Sequence, residues 1–198
     1  MTKIVDYYFT LTSPWTFLGS QRFVEMARRH GAEIRVKPVD YGVIFPQTGG
    51  LPLPKRAPAR QAYRLMELKR WRAHLGIELN LHPKFFPAPP DAAARFVVAV
   101  DRAGGDSLGL AHAILAAIWT QEKDIADLPT LAEIASAAGH DGAALLAASQ
   151  EPEVQTACEA LTQEALERGV FGAPTYVYKD ELFWGQDRLD FLDRALAD

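Results

Sequence analysis

Hydrophobic positions run almost unbroken from Ile4 to Thr12 (IVDYYFTLT), with Asp6 the one charge, in the β-branched and aromatic pattern of a buried strand. A loop follows, and Ser13-Pro14 opens a helix. Serine is a favoured N-cap, and proline suits the first helical turn, where its missing N–H costs nothing. Phe17-Leu18, Phe23-Val24 and Ala27 recur at helical spacing until Gly31 stops the helix. From Ala32 to Asp40, Ile34, Val36 and Pro38 alternate with Glu33, Arg35 and Lys37, which predicts a second strand. Strand, helix and strand with short links form a βαβ unit, with parallel strands and a right-handed crossover.

Residues 41–58 break the pattern. Pro46, Gly49, Gly50, Pro52, Pro54 and Pro58 predict a stiff, irregular loop, long enough to suggest function. Ala59 to Leu75 reads as a helix, with Tyr63, Met66, Leu68, Trp71 and Leu75 available to its buried faces. Its basic residues (Arg60, Arg64, Lys69, Arg70, Arg72) read mostly as a solvated face. After a Pro-rich connector over 77–90, helices are predicted over 91–103, 108–120, 129–138, 141–148 and 152–168. β structure returns at 171–178, turns at Lys179-Asp180 and pairs with 181–184. Asp187 is the expected N-cap of a final helix through Leu189, Leu192 and Leu196. The order β-α-β, helical block, β-β-α predicts an α/β chain on the thioredoxin-like plan. One mixed sheet comes from residues 1–58 and 169–198, with an all-helical insertion over 59–168 between its halves.

Composition narrows the function. The 198 residues are 48% hydrophobic and 23% charged, ordinary for a soluble globular protein. A net charge of −4 gives no basic footprint for nucleic acid. The N-terminal run is neither a signal peptide nor a membrane span, so a cytoplasmic protein with no membrane partner is expected. The one cysteine, Cys158, excludes an internal disulfide or a C-x-x-C pair and reads as a small buried hydrophobe. The five histidines (His30, His74, His82, His112, His140) are scattered, so no metal site is expected; His82 is either pocket-facing or a surface residue.

In a thioredoxin-like fold the chemistry sits where the first strand meets the first helix, whose N-terminus lowers a thiol pKa. Ser13 and Thr16 stand here where the redox families carry two cysteines, so disulfide exchange is excluded. Ser13 is either simply a cap or a hydroxyl donor at a natural seat for phosphate, carboxylate or thiolate. In the second case it does not attack; it holds a sulfur brought in by a cofactor. Trp15 and Trp184 are candidates for an aromatic pocket, and Trp119 for the core.

Three separated stretches, Asp6 to Trp15 (DYYFTLTSPW), Phe171 to Thr175 (FGAPT) and Trp184 to Leu189 (WGQDRL), together resemble the 2-hydroxychromene-2-carboxylate isomerase family. That family belongs with the DsbA-like and kappa-class glutathione transferase group. The resemblance implies glutathione as cofactor and isomerisation between 2-hydroxychromene-2-carboxylate and trans-o-hydroxybenzylidenepyruvate. It implies that Ser13 contacts the glutathione sulfur and that Ala173-Pro174 is a cis-proline loop whose Ala173 backbone pairs with the cysteinyl part. It also implies that Asp187-Arg188, following Gly185, takes the γ-glutamyl end. The family's substrate-side lysine falls at Arg60, with Lys55 or Arg56 as further carboxylate contacts and Trp15 beside the substrate. Its glutathione-side asparagine falls at Gly50, a departure from the pattern, as is Thr10 where relatives commonly carry Asp. Relatives are commonly homodimers. A kappa-like transferase and a non-catalytic thiol- or peptide-binding module are the alternatives.

Overall fold

The computed structural model describes residues 2–198. Strand β1 (Ile4–Phe9) leads through helix α1 (Pro14–Arg29) to β2 (Glu33–Pro38), which pairs parallel with β1, Ile4 opposite Glu33 and Phe9 opposite Pro38. The hairpin β3 (Thr175–Tyr178) and β4 (Glu181–Trp184) then adds to the other edge of β1, antiparallel, giving the strand order β2-β1-β3-β4. Its two-residue turn holds Lys179 and Asp180 at φ 49° and 64°, the left-handed pair that the twist of a tight hairpin demands. A last helix, α9 (Leu189–Ala197), closes the chain. This is the thioredoxin-like α/β plan that the pattern predicts.

The two faces of β1 explain why the run lacks strict alternation. Val5, Tyr7 and Phe9 enter a large core that also holds Phe23 of α1 and Leu192 and Leu196 of α9. There the rings of Tyr7, Phe9 and Tyr176 stack, with centroids 4.5 Å (Tyr7–Phe9) and 5.3 Å (Tyr7–Tyr176) apart. Tyr8 points the other way, into a smaller cluster with Val39, Tyr41, Ile44, Ala165, Val170 and Val177. A strand covered on both faces is apolar throughout.

Between the sheet halves lie α3 (Pro58–Leu75), α4 (Asp91–Arg102), α5 (Ser107–Trp119), α6 (Leu128–Ala137), α7 (Gly142–Ala148) and α8 (Pro152–Glu167). Leu110, Ile114 and Ile118 of α5 and Phe96 and Val97 of α4 join the same core as Val5 and Tyr7, so the helical block packs directly on the sheet layer.

Three local expectations are corrected. Residues 41–58 are not an irregular loop: they hold helix α2 (Tyr41–Thr48) and a 3-10 turn (Leu53–Lys55). Asp40 caps α2 by accepting from the Gly42 N–H (2.6 Å), and Gly49 ends it in the left-handed conformation. Burial of Tyr41 and Ile44 outweighs the single backbone bond that Pro46 forfeits. On α3, Tyr63 and Met66 are exposed and only Leu68 is fully buried. Asp187 does not cap the final helix, because a 3-10 turn (Gln186–Arg188) precedes it and no side chain caps either element.

Candidate functional site

The site forms at the end of the sheet where β1 gives way to α1. Ser13 is the N-cap of α1: its Oγ accepts from the Thr16 N–H at 3.2 Å, and its own N–H bonds the Thr10 carbonyl. Capping uses a lone pair of the hydroxyl and leaves its proton free to donate. Ser13 thus sits 8% exposed at the positive end of a 16-residue helix with no acidic side chain in its first turn. One turn on, the Thr16 hydroxyl is buried and has no hydrogen-bond partner among the described residues.

The β1–β3 register, Tyr8 opposite Thr175, brings Ala173 to this same end of the sheet. The Ala173–Pro174 bond is cis, as the resemblance implies. The loop is held from both sides. Tyr41 Oη and Thr175 Oγ1 each donate to the Gly172 carbonyl at 2.6 Å, and the Gly185 N–H donates to the Pro174 carbonyl at 2.8 Å. Ala173 is different: neither its N–H nor its C=O bonds any group among the described residues. A tethered loop therefore presents one open donor–acceptor pair, the edge to which an extended peptide segment adds.

Gly185 (φ 102°) then turns the chain, and a Cβ there would collide with the Asp187 carboxylate, which folds back over it. Buried Gln186 anchors the turn by accepting from Arg22 at 2.7 Å, and Gly19 of α1 is small enough to let it approach. Asp187 and Arg188 are left projecting into solvent, their charges 3.6 Å apart.

These pieces enclose a groove of about 370 Å³, lined by Trp15, Ala173, Trp184, Gly185, Gln186, Asp187 and Arg188, with Tyr63, Glu67 and Trp71 of α3 as the opposite wall. Of the residues singled out from sequence, Trp15, Ala173, Gly185, Asp187 and Arg188 meet in this groove. Ser13 and Pro174 lie beside it in the chain without lining it, and Gly50 and Arg60 are outside it. Gly50 has a steric reason: a Cβ there would run into the Phe45 ring, so an asparagine does not fit without moving that side chain. Trp184 is half exposed against Phe171, Trp119 is fully buried, and His82 is exposed.

Sequence reading missed the α3 wall. Tyr63, Glu67 and Trp71 are four residues apart, one stripe of a helix, but a mixed aromatic and acidic stripe carries no strong periodic signal. It also missed Arg64, which the charge pattern assigned to solvent. Arg64 lies over the rings of Phe86 (5.2 Å) and Trp119 (5.9 Å), and burial, with Arg56 nearby, lowers its pKa to about 10. Cys158 is partly buried, and burial raises its thiol pKa to about 11, which disfavours the nucleophilic thiolate.

Comparison with known proteins matches this arrangement along its whole length. The description DsbA-like thioredoxin domain fits residues 4–197. A 2-hydroxychromene-2-carboxylate isomerase of Sphingobium xenophagum is 31% identical over all of both chains. A solved 2-hydroxychromene-2-carboxylate isomerase superposes with a TM-score of 0.82 at 27% identity, covering 98% of this chain and 94% of its own. The fold alone is shared with the cytosolic disulfide reductase DsbM of Pseudomonas aeruginosa, solved with GSH (17% identity, TM-score 0.68, 98% of this chain and 100% of that one). The chain belongs to the DsbA-like thioredoxin-domain family, among its 2-hydroxychromene-2-carboxylate isomerases.

Proposed function

We propose that the protein is a glutathione-dependent isomerase of 2-hydroxychromene-2-carboxylate and trans-o-hydroxybenzylidenepyruvate, or of a closely related aromatic unsaturated keto acid. The observation that carries the reading is the open backbone of Ala173 at the sheet end that also holds Ser13. The residues fit the cofactor. Glutathione has a peptide-like cysteinyl core for Ala173 and a zwitterionic γ-glutamyl end. The groove offers that end two carboxylates, Asp187 and Glu67, and one guanidinium, Arg188, between aromatic walls.

When bound, glutathione supplies a sulfur nucleophile that adds reversibly to a conjugated carbon, so that a double bond becomes free to rotate. The chain's part is binding and electrostatics. Ser13 donates its free hydroxyl proton to the sulfur, and the N-terminal end of α1 adds the helix field. Trp15 offers an aromatic surface to the substrate ring, and Arg60, exposed in the first turn of α3, offers a guanidinium to a carboxylate. No helix among the described residues is long and apolar enough to cross a membrane, and the cytosol, with its glutathione supply, is the proposed compartment.

The reading is tested by mixing protein, glutathione and the chromene and following the ultraviolet spectrum. Interconversion to a fixed equilibrium, with glutathione undiminished, is the expected result. A stable adduct that consumes glutathione would instead mark a conjugating transferase, and no spectral change with no calorimetric glutathione binding would refute both.

A further inference from the structure

One stripe of α3 runs from buried Leu68 through half-buried Arg64 to exposed Arg60 toward its N-terminus, and Arg56 lies just before the helix. Leu68 is fully buried, so the same stripe carries Arg64 onto the core, where the rings of Phe86 and Trp119 lie 5.2 and 5.9 Å from its guanidinium carbon. None of Arg56, Arg60 and Arg64 forms an ion pair with a carboxylate among the described residues. They press on one another instead: burial and Arg56 lower the pKa of Arg64, and burial and Arg60 lower that of Arg56. Arg56 spends its Nε–H on the Leu51 carbonyl at 2.8 Å. Beside them the indole Nε1–H of Trp119 is buried with no acceptor among the described residues. The cluster is all donors and positive charge over aromatic rings, with no carboxylate paired to it among the described residues. Proteins do not keep a partly buried guanidinium unpaired for stability.

We propose that Arg64, flanked by Arg56 and Arg60 over the Phe86–Trp119 rings, is the binding site for the carboxylate of an aromatic 2-keto acid. The inference deepens the isomerase reading, on which it rests for the substrate class, and it moves the principal carboxylate contact from exposed Arg60 to Arg64. The rings of Phe86 and Trp119 hold the Arg64 guanidinium in place from beneath, and its planar fork suits a two-pronged carboxylate.

The probe is phenylpyruvate, titrated by calorimetry into the protein without glutathione, beside its methyl ester. The unaltered protein is expected to bind the acid at least tenfold more tightly than the ester. Arg64→Met, which keeps the stem on the rings and removes the charge, is expected to weaken the acid at least tenfold and to leave the ester unchanged. Its melting temperature is expected to equal or exceed that of the parent, because the charge it removes is unpaired. Equal affinity for acid and ester, undiminished acid binding by Arg64→Met, or a melting temperature several degrees lower would each overturn the proposal. Since glutathione is absent from these titrations, its failure to bind in a separate titration would count against the isomerase reading alone.

Discussion

Replacing Ser13 by alanine separates two things that one hydroxyl does. As a cap, the Oγ satisfies the Thr16 N–H at 3.2 Å, and losing a serine cap costs about 1 kcal/mol. For a chain of 198 residues this lowers the melting temperature by about 2–4 °C. As a donor to bound sulfur, the hydroxyl makes a hydrogen bond to a charged group, worth about 1.5–3 kcal/mol. That corresponds to about one to two pKa units on the glutathione thiol, at about 1.4 kcal/mol per unit. The helix field remains in the variant, so the thiol stays below its free value of about 8.5. The assay titrates the thiolate absorbance of protein-bound glutathione with pH in the parent, in Ser13→Ala and in Ser13→Gly. Glycine restores most of the capping preference without a hydroxyl. Both variants are expected to raise the bound thiol by about one to two units and to lower the isomerisation rate at neutral pH by up to about twentyfold, as the thiolate fraction falls, while glycine recovers stability. An unshifted thiol in Ser13→Ala with full activity would refute the donor role and leave only the cap.

Three further outcomes follow from the structure. Gly50→Asn, which restores the residue common in relatives, is expected to destabilise by about 1–3 kcal/mol because its Cβ meets the Phe45 ring; thermal melting checks it, and an unchanged melting temperature would mean that the Phe45 ring moves aside freely. Burial holds the Cys158 thiol near 11, about two units above its ordinary value of 9.0, so iodoacetamide at pH 8 should label the native chain about a hundredfold more slowly than the urea-unfolded one. Burial would raise the Glu164 carboxyl, but the Lys37 ammonium at 2.7 Å and the Tyr8 hydroxyl at 2.8 Å prevail and hold it below the usual range. A carboxyl lowered on folding stabilises at pH above its unfolded value of about 4.3, and that stability is lost as pH falls through the folded value. Urea titrations should therefore show Glu164→Gln as less stable near neutrality, with the gap closing in acid.

What could be read from sequence follows from where the physics is local. The β1 run, the Ser13-Pro14 helix start and the Lys179-Asp180 turn each depend on neighbouring residues, and each lies where its pattern places it. Helix α2 was hidden because Pro46 and Gly49 signal a break locally, whereas the burial of Tyr41 and Ile44 that sustains it comes from distant Ala165 and Val170. Asp187 has the chemistry of a cap but is carried past that position by the turn at Gly185. In the site, Trp15, Ala173, Asp187 and Arg188 were legible from motifs. The α3 wall and Arg64 were not, because which face of a polar helix turns inward is decided by what packs against it. Phe86 and Trp119, both remote in sequence, decide it for Arg64.

The central claim, that a free sulfur held at Ser13 performs the isomerisation, is tested most directly by comparing glutathione with S-methylglutathione. The two share every group that Ala173, Asp187 and Arg188 are proposed to bind and differ only in the sulfur. Chromene isomerisation is predicted to proceed with glutathione, to be absent with S-methylglutathione, and to be competitively inhibited when the two are mixed. The same rate with S-methylglutathione, or with no thiol at all, would contradict the account.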